Sequence, residues 1–249
     1  LWMNVGLYQA AAALGANTRW QEMIAENLSA SAIPGYKKQE ISFAATQAGL
    51  LSSSTQGVRQ FALPRAETSI NFEQGELRYT NIKSDVALEG SGFFEVQLSD
   101  GTTAYTRDGE LHIDAFGQLV TKQGDPVIGT GGPIQVDLNN YKELSISSTG
   151  EVSQGTDLKG QLRVVDFNEP GLLTPITRGN FLARDPRLQA RDASNTTFRQ
   201  GFLEVANTSP VTEMAEMITA MRSFELNQRV IQTQDERLGR VVSELGNPI

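Results

Sequence analysis

The sequence predicts an α+β protein in which N- and C-terminal helices form a coiled-coil layer and flank a central antiparallel β domain. Three observations carry this expectation. Apolar residues recur at three- and four-residue steps near both ends. Short β-prone runs separated by turn residues fill the middle, and polar stretches join the two regimes. The expected divisions are a helix over 1–36, an extended connection over 37–79, a β domain over 80–184, a return connection over 185–208 and a helix over 209–249.

The first helix is read from a segment rich in Ala and long side chains, with no proline before Pro34. Leu7, Ala10, Leu14, Asn17, Gln21, Ile24 and Leu28 share one face, and most of them are apolar. Ile33, Pro34 and Gly35 then end the helix.

The second helix has a stronger start. Ser209 is a hydroxyl N-cap, and Pro210 follows at the first helical position, where its missing N–H is no loss. Glu213 and Glu216 suit the positive end of the helix dipole. From there Met214, Met217, Met221, Phe224, Gln228, Ile231, Asp235, Leu238, Val242 and Leu245 follow a 3–4 heptad spacing. About 36 residues at 1.5 Å each make a rod of roughly 54 Å. One apolar stripe does not offset the ordering of so long a helix, so it needs a partner. The first helix and further copies of the chain are the expected ones. The expected assembly seam is Leu7, Leu14, Ile24 and Leu28 with Met214, Met217, Met221, Phe224, Ile231, Leu238, Val242 and Leu245. Gln228 and Asp235 are the polar breaks expected to set its register.

Between the helices, β-prone runs fall at 86–88, 93–96, 104–106, 111–113 and 118–120, separated by turn residues such as Gly90, Gly92, Gly101, Gly109 and Gly117. The pattern continues through 134–136, 144–146, 151–152 and 161–165. The connections are polar, with isolated aromatics at Phe43, Phe61, Phe72 and Phe198. They read equally as disordered linkers or as extended segments that order against other parts.

Site chemistry is sparse. The chain has one histidine, His112, and no cysteine, which removes disulfides, thiol catalysis and Cys-ligated metals and makes a zinc site improbable. By alternation His112 faces away from Leu111 and Ile113, toward solvent or a polar rim. Gly129, Gly131 and Gly132 mimic a phosphate loop, but Pro133 leads into a β-prone run instead of a helix, so a turn is expected. Asp108 with Glu110, and Asp85 with Glu89, flank turns and are expected to be solvated. No enzyme, cofactor, metal site or small-molecule substrate is therefore expected. The net charge of −8 argues against a nucleic-acid partner, and no apolar run is long enough for membrane insertion. No basic segment leads into a short apolar block, so no cleaved signal peptide is expected. A soluble module that captures a peptide on Met214, Met217 and Met221 is the rival reading.

Three segments carry a resemblance. In residues 25–37 these are Asn27, Leu28, Pro34, Gly35 and Tyr36, followed by Lys37. In residues 85–120 they are Gly92, Phe93, Phe94, Tyr105, Thr106, Arg107 and Gly109. In residues 201–235 they are Glu204, Asn207, Glu213, Arg222, Glu225 and Asp235. In this order they resemble the signatures of the bacterial flagellar rod and hook proteins and span most of the chain. Ala30, Ile33 and the pair Val205 and Ala206 depart from the usual pattern, at the end of the first helix and the joint before the second.

The resemblance implies a structural subunit of the flagellar basal body, located in the periplasmic rod. Such subunits are exported unfolded through the flagellar type III apparatus without a cleaved signal. They polymerise with copies of themselves and related rod subunits, helices inside and β domain outside. Residues 124–134 and 209–214 look more like the larger proximal rod protein than the distal one.

Overall fold

A computed structural model describes the backbone of residues 4–52, 58–176 and 179–245, and the side chains of 7–44, 65–176 and 179–243. The chain divides into a helical unit (1–28, 39–69 and 210–249) and a β unit (29–38 and 70–209).

In the helical unit, α1 (Asn4–Ala30) and α2 (Pro210–Leu245) are joined by a two-stranded ribbon of β1 (Gln39–Ser52) and β2 (Val58–Ile70). Pro210 opens α2 and Glu213 lies in its first turn. The helices run antiparallel where they touch. Asn17 donates to the Ser223 hydroxyl at 3.1 Å, and Asn27 donates to the Glu213 carboxylate at 3.3 Å. Between these polar contacts Met23, Ile24 and Ala220 are buried, with Trp20, Ile41 and Met217 packed against them. The Trp20 ring meets Phe43 edge-on at 5.8 Å, which brings the start of β1 onto α1. Part of the expected extended connection is thus a strand pair.

The face that α2 turns inward is displaced from the expected one. Glu213, Met217 and Ala220 are buried or half-buried, and Phe224, Asn227, Ile231, Gln234 and Leu238 continue that face half-buried. Met214, Met221 and Val242 are exposed. The reason is close approach. Ala220 lets the backbones come near, and Glu213 finds a buried amide, so small and paired polar residues occupy places that hydrophobicity alone gives to methionine.

The β unit is built on a six-stranded antiparallel sheet in the order Thr174–Pro175, Asn180–Leu182, Thr103–Thr106, Phe93–Gln97, Val164–Phe167 and Ala190–Asp192. Neighbouring residues in its strands enter opposite cores. Phe94, Val164 and Leu182 join Val86, Leu88 and Val152 on one face. Phe93, Val165 and Phe181 join Phe167 and Leu173 on the other, with Phe72 packed against them. The middle strands are therefore buried on both faces, which is why apolar residues stand in adjacent pairs at Phe93–Phe94, Val164–Val165 and Phe181–Leu182. A three-stranded sheet of Leu144–Ile146, Glu151–Gln154 and Asp157–Gln161 adds to the first core, with a register shift between Val152 and Ser153.

The run expected at 161–165 is two strands, one ending at Gln161 and one starting at Val164. Residues 134–136 form no named strand. Ile134 and Val136 are buried, and their backbones bond to Leu119 and Gly117. The glycines at 129–132 close a tight hairpin, Ile128–Gly129 against Gly132–Pro133. The return connection is also ordered. Thr197–Gln200 pairs with Val86–Glu89, and Phe202–Glu204 pairs with Leu77–Tyr79.

Candidate functional site

The signature residues of the β unit converge where the chain enters and leaves it. After α1 the chain turns through Ile33, whose N–H bonds to the Ala30 carbonyl. Gly35 sits at φ +68°, and a Cβ there would lie 2.3 Å from the Arg107 carbonyl carbon, so only glycine fits. Its N–H donates to the Glu204 carbonyl at 2.7 Å. Tyr36 is buried with Ala30 and Ala206, and Pro34 is half-buried.

Lys37 follows and is fully buried. Its Nζ donates to Glu204 Oε1 at 2.6 Å and to the Glu73 carbonyl at 2.7 Å. The same Oε1 accepts from the Gly75 N–H at 2.9 Å. Arg107 Nη1 reaches Glu204 Oε2 at 3.3 Å, while Nη2 donates to the Gly90 carbonyl at 2.7 Å. The guanidinium lies over the Phe93 ring, 5.3 Å from its centre. Burial pulls the Lys37 ammonium and the Arg107 guanidinium below their ordinary pKa values, and Glu204 opposes this in both. Two cations thus share one carboxylate, the carbonyl oxygens of Glu73 and Gly90 take one further N–H from each, and the buried Arg107 Nε has no hydrogen-bond partner among the described residues. With Lys37 and Glu204 withdrawn from solvent, the arrangement suits a clasp and not a catalytic centre.

Asn207 extends the clasp. Its Oδ1 accepts from the Lys38 N–H at 2.6 Å, and its Nδ2 donates to the carbonyls of Asn71 and Glu73. One side chain thereby holds the outgoing and returning segments of the chain in register. In the helical unit Asn27 plays a parallel part. Its amide pairs with both backbone groups of Gln39, at 2.9 and 3.0 Å, while reaching Glu213. Asn27 and Glu213 are fully buried.

The remaining signature residues support the β unit. Gly92, Phe93, Phe94, Thr106 and Gly109 are buried, and Tyr105 is half-buried with its ring edge-on to Phe167 at 4.8 Å. Arg222, Glu225 and Asp235 are exposed on α2. Of the expected seam, Ile24 is buried, and Leu7, Leu14, Leu28, Met217, Phe224, Ile231 and Leu238 are half-buried. Met214, Met221 and Val242 are exposed, and the Leu245 side chain lies outside the described residues.

Two carboxylates expected to be solvated are buried. Asp108 Oδ1 accepts from the Glu110 N–H at 2.9 Å, and burial pushes its pKa up to about 6. Asp85 is raised by burial, and its Oδ2 has no hydrogen-bond partner among the described residues. Strand pairing explains the error. Residues 85 and 110 face each other across a bridge, which draws both turns into the core. Glu89 and Glu110 are partly exposed and pair with Arg199 and Lys122. His112 is exposed. Among the described residues no group of three His, Asp or Glu side chains is placed to hold a metal ion, and no helix is long and apolar enough to cross a membrane.

The residue whose part sequence reasoning missed is Lys37, which was named only as the end of the first signature segment and given no role. Its signal was position: it closes the segment that also contains Asn27, Gly35 and Tyr36.

Comparison with known proteins agrees with this arrangement. Residues 87–154 match the flagellar hook protein FlgE/F/G D1 domain, and residues 199–244 match the flagellar basal body rod FlgEFG protein C-terminal domain. The flagellar basal-body rod protein FlgG of Borreliella burgdorferi is 37% identical over 189 residues, covering 70% of this chain and 69% of that protein. The rod protein FlgF of Salmonella typhimurium is 31% identical over 258 aligned residues, covering 96% of this chain and 97% of that protein. FlgG of Bacillus subtilis is 35% identical over 173 residues, with 64% of each chain covered. The chain belongs to the flagellar basal-body rod protein family and is a structural protein, not an enzyme.

Proposed function

We propose that this chain is the proximal, FlgF-type subunit of the rod, polymerising through its terminal helices as part of the axial drive shaft. The observation that carries the choice of member is alignment extent. The FlgF relatives of Salmonella typhimurium and Escherichia coli match over 96% of this chain and 97% of their own length. The FlgG of Borreliella burgdorferi, at higher identity, matches over about 70% of each. That higher identity is the one observation favouring a distal, FlgG-type subunit.

In the assembled rod the helices of neighbouring copies form a coiled-coil layer, seamed by the residues named above, and the β unit lies outside it. The subunit reaches the periplasm through the flagellar export apparatus. The rival peptide-capturing module fits less well, because Met217, the middle of the three methionines, is taken up in packing with Ile24 and Ala220, which breaks the Met stripe.

Deleting the gene and isolating basal bodies tests the reading. Loss of motility with incomplete rods, restored by the intact chain, is expected. Complete rods in the deletion strain would refute it. Labelling that falls at the hook end of wild-type rods, not at the membrane end, would favour the distal subunit.

A further inference from the structure

Residues 197–207 tie together parts of the β unit that lie far from them in sequence. Thr197–Gln200 is the only strand partner of Val86–Glu89 among the described residues, and Phe202–Glu204 is the only one of Leu77–Tyr79. Phe198 stands opposite Leu88 in that register, and its ring lies 6.3 Å from the Phe94 ring within the first core. The Phe198 N–H donates to the Ser148 carbonyl at 3.1 Å, and a Cβ on Gly150 would lie 2.6 Å from the ring. Both ends of the Gln200 amide bond to other segments. Its Oε1 accepts from the Ile146 N–H at 3.2 Å, and its Nε2 donates to the carbonyls of Lys83 and Leu144 at 2.7 and 2.9 Å. The Gly201 N–H donates to the Asp85 carbonyl, and the Val205 N–H to the Glu76 carbonyl, each at 2.8 Å. Glu204 and Asn207 then hold Lys37, Lys38, Gly75 and Arg107.

We propose that this segment is the closing latch of the β unit: the unit stays open until the segment docks, and its release unfolds the whole unit. The latch contacts with Arg107 and Lys38 span 97 and 169 residues, so long loops must close before these bonds form. Until then Val86–Glu89 and Leu77–Tyr79 lack a strand partner, and Phe198 is missing from the first core. Lys37 and Arg107 would also enter the interior without the carboxylate they share. The six-stranded sheet has its last strand at Ala190–Asp192, before the latch. One of its faces is covered by Val86, Leu88 and Phe198, so it too waits for the latch. Synthesis runs from the N-terminus, so the strands that the latch holds are all made before it. On the rod reading, that delay lengthens the time in which the export apparatus meets an unfolded chain.

Hydrogen exchange of the full-length chain tests both halves of the proposal. In the native state, the slowest amides of Val86–Glu89, Phe93–Gln97 and Thr197–Gln200 are expected to share one opening equilibrium. Their protection should agree to within about tenfold and show the same urea dependence. A wider gap between Thr197–Gln200 and Phe93–Gln97 overturns the latch, because one would then open without the other. During refolding from urea, pulse labelling should find all three segments gaining protection in one phase. Protection of Phe93–Gln97 ahead of Thr197–Gln200 overturns the latch as well. Neither result touches the rod reading, which basal-body isolation decides separately.

Discussion

Replacing Glu204 by leucine removes the carboxylate that Lys37 and Arg107 share while filling a similar volume. Both cations remain buried, with the carbonyls of Glu73 and Gly90 as their closest remaining acceptors. Breaking a buried ion pair from one side costs about 3–5 kcal/mol. For a unit of about 150 residues that is a fall in Tm of roughly 6–20 °C. Lys37→Met should cost less, because Arg107 and the Gly75 N–H still satisfy the Glu204 carboxylate. The double variant should cost less than the sum of the two, because it leaves one cation unpaired instead of two. Urea and thermal unfolding of the three purified variants measure this. A cost of Glu204→Leu under about 1 kcal/mol, or additive costs of the two substitutions, would refute a shared carboxylate at this clasp.

Further expectations follow from the same contacts. Gly35→Ala should destabilise the chain by about 2–4 kcal/mol in urea titration, through its positive φ and the Arg107 backbone. Asn27→Leu strips both backbone groups of Gln39 of their partner and should cost about 2–4 kcal/mol, read as faster hydrogen exchange at the Gln39 amide. Asp108 gives a pH dependence. Its folded pKa of about 6 lies above the ordinary 3.8, so its contribution is fully present below about pH 4. It is lost progressively as pH rises to about 6, by up to about 3 kcal/mol. Asp108→Asn keeps the Oδ1 acceptor and should abolish that decline when urea midpoints are compared at pH 4, 5, 6 and 7.

Much of this fold was legible because its signals are local. The start of α2 was written in Ser209 and Pro210, and the hairpins in glycine-bearing turns between short apolar runs. What was not legible depended on tertiary pairing. Nothing local distinguishes a face centred on Met214 and Met221 from one centred on Ala220. The choice is made by the polar contacts of Asn17 with Ser223 and Asn27 with Glu213, each about two hundred residues apart in sequence. The polar stretch at 39–70 hid two strands because each is paired only with the other. Lys37 was given no role and Asp108 was misjudged for one reason. Charged residues beside turns are usually solvated, and only long-range contacts with Glu204 or the Asp85 bridge take them out of water.

The central claim is that this chain is a rod subunit, and purified hook–basal bodies test it most directly. Mass spectrometry of the particles, with immunogold labelling of an epitope in the exposed loop at Tyr141, gives both presence and place. The account predicts the chain in stable amount, with label along the rod at its membrane-proximal end. Intact rods that contain none of this chain would contradict it.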